Sequence, residues 1–171
     1  MPMSLYQASI PYFIQTLTAL SGILDRLEAH AGEKKIDPAN FLAMRLHPSM
    51  WPLSKQIQAS CTTAVGAAAR LSGKPVPSTE DSEKTIAELK ARIAKSLEFI
   101  RSVKPEEIDG QEAREIVVKM GSNEMKFTGD NYLSWFALPN FMFHATTAYN
   151  VLRQSGLDLA KRDFLGKNPK W

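Results

Sequence analysis

Residues 130–156, DNYLSWFALPNFMFHATTAYNVLRQSG, decide the reading of the fold. They predict one long helix. Asp130 is a cap at its start, and Ser155-Gly156 a stop at its end. Arg153 falls in the last turn, where the helix dipole favours a cation. No charged residue lies between Asp130 and Arg153. A helix apolar nearly all round belongs in the middle of a helical assembly rather than at its edge. At 100° per residue, Tyr132, Phe136, Asn140, Phe143, His144, Thr147 and Val151 share a face. Asn140 and His144 are set one turn apart among aromatics. Buried polar groups need partners, so this face is the first candidate for chemistry.

Working outward, the preceding segment REIVVKM-GSN-EMKFTG holds two short β-prone runs about a Gly-Ser-Asn turn and predicts a hairpin. Three further helices come earlier. Residues 4–30 carry Tyr6, Ile10, Phe13, Leu17, Leu20, Leu24 and Leu27 in alternating four- and three-residue steps, a narrow packing stripe. Residues 51–72 carry a second stripe and end at Gly73. Their ASCTTAVGAAA run of small side chains lets a neighbour approach closely or leaves room for a ligand, and Gln56 and Gln58 lie near its start. A third helix follows the rigid KPVP linker, with Ser78 or Thr79 as its cap and Glu80, Asp81 and Glu83 in its first turn. Its stripe runs from Ile86 to Val103, and its charged face, Arg92 included, reads as solvated. The connection over residues 33–52 predicts a short helix opened by Asp37-Pro38 and then broken by His47-Pro48. The C-terminal LDLAKRDFLGKNPKW has no clear period and is expected to lie across the helices.

The chain has 171 residues, 44% hydrophobic and 23% charged, which suits one globular domain spanning residues 1–171. The net charge of +3 and pI of 9.0 are mild, and no Lys/Arg block marks a nucleic-acid surface. A single cysteine, Cys61, rules out an internal disulfide and fits a reducing compartment. No apolar run reaches membrane-spanning length, and the first residues lack a secretory pattern, so a cytoplasmic protein with no membrane partner is expected. There is no phosphate-binding loop, dinucleotide fingerprint or nucleophile elbow.

The ending VLRQSG and the preceding NFMFHATTAY resemble the last helix of the DinB-like (YfiT-like) superfamily of four-helix bundles, in which a His-x-x-x-His pair precedes a Leu-Arg-Gln-x-Gly end. The segments SLYQASIPYF, RLHPSMWPLSKQIQ, FALPNFMFHATTAY and KRDFLG are similar to those of an uncharacterised DinB-related family, a domain of unknown function from bacteria and fungi. The resemblance implies an all-α, DinB-like four-helix bundle with a small β-hairpin between helices three and four, often a homodimer. It also implies a divalent metal, nickel, zinc or manganese, held by three histidines, one from the second helix and two from the fourth, sometimes for thiol transfer or isomerisation. Here only His144 matches. Asn140 stands where the first His of the pair would be, and the second helix has no His.

Three readings stand side by side. In the first, a small organic molecule binds in a pocket lined by helices two and four. His144 and Asn140 are then the catalytic or orienting pair, and Tyr132, Phe136, Gln58 and Trp51 contact the ligand. In the second, His47 and His144 ligate a divalent metal in a hydrolase or thiol transferase, with Gln56, Gln58 or Asn140 as further donor. In the third, the protein is a non-catalytic dimeric scaffold and His144 is a buried histidine bonded to Asn140, Gln58 or a main-chain carbonyl. Cys61, mid-helix among alanines, reads as inert packing.

Overall fold

The computed structural model describes residues 4–166. The chain is mostly helical, with one two-stranded antiparallel sheet. Four long helical segments carry the core. Helix α1 spans Ile10–Lys34, α3 Leu53–Ser72, α4 Ile86–Arg101 and α7 Leu138–Gln154. Shorter helices are α2 (Pro38–Ala43), α5 (Pro105–Ile108), α6 (Gly129–Asn131) and α8 (Lys161–Leu165). Helix α3 is central and packs against α1, α4 and α7. No helix among the described residues is long and apolar enough to cross a membrane.

Helix α1 starts six residues later and runs four residues further than its sequence suggests. Residues 5–9 form turns, in which the Ser9 hydroxyl donates to the Leu5 carbonyl at 2.7 Å. Gly32 does not stop the helix. Lys35 does, in the left-handed region at φ 55°. Its stripe is as expected from Ile10 on, with Ile10, Phe13, Leu17, Leu20, Leu24 and Leu27 all buried, while Tyr6 falls in the turns before the helix and is half-buried. Asp37 caps α2, its carboxylate accepting from the Ala39 N–H at 2.9 Å. Gly73, at φ 73°, ends α3 as anticipated, because a left-handed residue there lets the chain turn back on the last carbonyls. In the small-residue run of α3, Ala64, Ala67 and Ala68 are fully buried, and that lack of bulk brings α7 close.

Helix α4 begins at Ile86, well after Ser78 and Thr79. Its cap is Thr85, whose side chain accepts from the Glu88 N–H at 3.2 Å while Glu88 accepts from the Thr85 N–H at 2.9 Å. Glu80, Asp81 and Glu83 lie in the extended linker and serve a different purpose. Arg92, assigned to the solvated face from sequence, is buried. It pairs with Glu83 at 2.9 Å and Asp81 at 2.8 Å, and it donates to the Thr62 hydroxyl at 2.8 Å. Those acids strap residues 80–83 across α3 and α4. A guanidinium this deep is tolerated only when paired.

The hairpin forms where expected, β1 (Ile116–Met120) pairing with β2 (Asn123–Phe127) between α4 and α7. Its turn is two residues, Gly121-Ser122, because Asn123 already pairs with Met120. Gly121 supplies the positive φ of 60° that such a turn needs.

The deciding stretch is helical throughout but not uniformly so. Thr128, rather than Asp130, stands before its first turn. Residues Tyr132–Ala137 widen into a π-helical turn, with the Leu138 N–H bonding the Leu133 carbonyl. Pro139 accounts for this. It has no N–H, and its ring would collide with the carbonyl four residues back in a regular helix, so the preceding turn opens. Nor is the helix buried all round. Trp135 is 79% exposed and Phe143 55%, and Pro139 between them is exposed too. Beyond α7, Leu157 and Leu159 are buried and α8 lies along α1, as expected of a segment crossing the helices. Its final residues, KNPKW, lie outside the described part.

Candidate functional site

His144 sits on the side of α7 turned toward α3 and is 8% exposed. Its Nδ1 lies 2.8 Å from Oε1 of Gln56, on the first turns of α3. The Gln56 amide nitrogen donates to the Trp51 carbonyl at 3.2 Å, which fixes the orientation of that amide. The Gln56 oxygen can only accept, so Nδ1 of His144 carries the proton and Nε2 keeps its lone pair. Burial holds the imidazole below the ordinary histidine range. The ring is therefore a neutral hydrogen-bond acceptor of defined tautomer at neutral pH.

Aromatic side chains frame it. The Trp51 indole stacks on the His144 ring, with centroids 5.5 Å apart and planes 8° from parallel. Phe143 meets it edge-on at 5.3 Å. Trp51 is half exposed, and the Lys55 ammonium lies 5.6 Å above its ring. Position 51 is held by the turn after His47, where the Met50 N–H bonds the His47 carbonyl at 2.9 Å, and by Pro52, the cap of α3.

Of the residues named from sequence, the structure brings Trp51 to His144. Asn140 is not bonded to His144. Its amide donates instead to the Thr63 hydroxyl of α3 at 3.1 Å. Gln58 points the other way round α3 and donates to Glu83 at 3.0 Å. Tyr132 and Phe136 stack with each other at 5.9 Å, Phe127 of the hairpin meets Tyr132 edge-on and Phe136 at a tilt, and Arg70 lies 6.0 Å over the Tyr132 ring. Gln56 is the partner that matters, and it carried a signal: it lies seven residues before Thr63 on the α3 side that meets α7. His47 is exposed, its ring bonded to the Ser49 hydroxyl at 2.9 Å. His30 packs edge-on against Phe41 at 5.9 Å. Burial pushes the Cys61 thiol up to about 11, consistent with an inert packing role.

The donor set does not fit a three-histidine metal centre. Among the described residues no three His, Cys, Asp or Glu side chains come together to hold an ion. His144 keeps one ligand nitrogen, Nε2, but Asn140 supplies an amide in place of the second histidine, its nitrogen engaged with Thr63, and α3 supplies no histidine at all.

With the helical fold, its inserted hairpin and this site in view, the chain can be placed among known proteins. It resembles the crystal structure, at 1.83 Å resolution, of a DinB family member protein from Shewanella denitrificans. The two are 34% identical with a TM-score of 0.87, and the match covers 98% of this chain and 94% of that one. Residues 5–165 match the family described as Domain of unknown function (DUF1993), and the chain belongs to that family. No curated protein matches it.

Proposed function

We propose that the four long helices form a DinB-type four-helix bundle that binds a small organic molecule at Nε2 of His144. The observation that carries this reading is the Gln56–His144–Trp51 arrangement. A hydrogen bond spent on fixing the tautomer leaves a basic nitrogen free, and half-exposed aromatics offer a flat apolar wall beside it. The fitting ligand has a planar apolar body and one hydrogen-bond donor directed at Nε2. A proton-transfer role would use the same atom, as a base of lowered pKa.

The test is a fragment screen by ligand-observed NMR on the wild-type protein and His144→Ala, with melting temperature measured alongside. Binding lost while the fold is retained supports the site. Loss of folding alone supports a scaffold in which His144 only fixes helix register.

A second reading concerns assembly. Trp135, Pro139 and Phe143 make an exposed apolar strip along one side of the last helix. Large exposed apolar surface of this kind marks an interaction face, and pairing with a second copy would cover it. Light scattering with size exclusion is expected to show a dimer that Trp135→Lys converts to monomer; a monomeric wild type would sink the idea.

A further inference from the structure

A groove of about 920 Å³ runs along α1 between α4 and α8. Its floor is apolar, with Ile14, Ala19 and Ile23 from α1 and Leu97 from α4. At Gly22 a side chain would meet nothing within 4 Å, so the groove is open down to the helix backbone there. The rim carries five charged residues. Two of them are acids that already have cations: Asp25 is held by Lys90, and Asp163 by Arg26 at 2.8 Å. Arg101, in the last turn of α4, and Arg162, in α8, have no ion pair among the described residues.

We propose that this groove binds a free, unbranched monocarboxylate, with its carboxylate on one of the two rim guanidiniums, Arg101 or Arg162, and its acyl chain along the floor. Charge complementarity selects the head group, because the two uncommitted cations are guanidiniums, whose planar fork suits a carboxylate. The floor selects the tail. A small inorganic anion would satisfy the arginines and leave the apolar surface in water, whereas a neutral chain would cover the floor and leave the arginines unpaired. The volume lies in the range of small-molecule sites, and an open, elongated groove suits a slender chain better than a compact ring. No residue of the His144 site takes part.

Titration calorimetry of the full chain with octanoate, 1-octanol and inorganic phosphate tests this. Octanoate is expected to bind about tenfold or more tightly than 1-octanol, the size of effect that charge-assisted hydrogen bonds supply. Phosphate should not displace it. The double variant Arg101→Gln/Arg162→Gln should lose the preference for the acid. Gly22→Leu should abolish binding while keeping or raising the melting temperature, since leucine favours the helix and its Cβ enters open space. His144→Ala should leave octanoate binding unchanged, which separates this groove from the site proposed above. No heat with octanoate, equal binding of the alcohol, or undiminished binding by Gly22→Leu would overturn the proposal.

Discussion

Nδ1 of His144 and Oε1 of Gln56 stand 2.8 Å apart across 88 residues of sequence, joining α7 to α3 where both are buried. That bond sets which nitrogen holds the proton. Burial keeps the pKa of the ring below its ordinary value of 6.5. The unfolded chain then binds the proton more readily than the folded one, so stability is full above the unfolded value and declines as pH falls through it towards the folded one. Urea denaturation at pH 7.5 and 5.5 is expected to show this decline in the wild type and a flatter dependence in His144→Gln. A nuclear magnetic resonance titration should find His144 below the ordinary histidine value, and Gln56→Glu should move it up. An unchanged His144 titration in Gln56→Glu would argue against the contact.

Arg92 and its acids supply the second expectation. The Arg92 side chain is 4% exposed and Glu83 15%, so the pair is screened little by solvent. Removing the cation leaves the partly buried Glu83 carboxylate with Gln58 as its remaining donor, which costs about 1–3 kcal/mol. Arg92→Met should therefore lower stability by that order, and proteolysis within residues 80–83 should accelerate, because the strap loses its anchor. Glu83→Gln should cost less, as Asp81 still meets the guanidinium.

The start of α4 is testable by contrast. Thr85→Ala removes the side-chain acceptor from Glu88 N–H and should cost about 1 kcal/mol. Ser78→Ala should be neutral, because position 78 lies outside the helix. Equal effects in chemical denaturation would mean the helix starts earlier.

Two glycines should behave oppositely. A Cβ at Gly129 would stand 2.7 Å from the backbone carbonyl of Gln111, which cannot swing aside, so Gly129→Ala should destabilise by about 1–3 kcal/mol. A Cβ at Gly66 would meet only the Nη1 tip of Arg70 at 2.6 Å. That side chain can move, and the gain in helix propensity should leave Gly66→Ala neutral or slightly stabilising. Thermal melting of both variants decides it.

Much of the fold could be read locally because its determinants are local. The stripe of α1, the glycine that ends α3 and the turn at Gly121 each follow from periodicity or from a backbone preference within a few residues. The acids at 80–83 misled for the same reason. By local rules they look like the first turn of a helix, but Asp81 and Glu83 pair with Arg92, eleven and nine residues on and buried. The helix face drawn at 100° per residue likewise failed to hold across residues 132–137, where Pro139 forces a wider turn.

The sequence by itself determined the four long helices (though not where α1 and α4 begin), where the hairpin falls, and that His144 lies in an apolar helix with a polar partner to find. Only the tertiary structure decided that the partner is Gln56, that Asn140 turns to Thr63, and that Trp135 and Phe143 face outward. Local conformation is set by each residue's neighbours along the chain. The partner of a buried polar group is set by which helix lies opposite, and that depends on the close approach that the alanines of α3 permit.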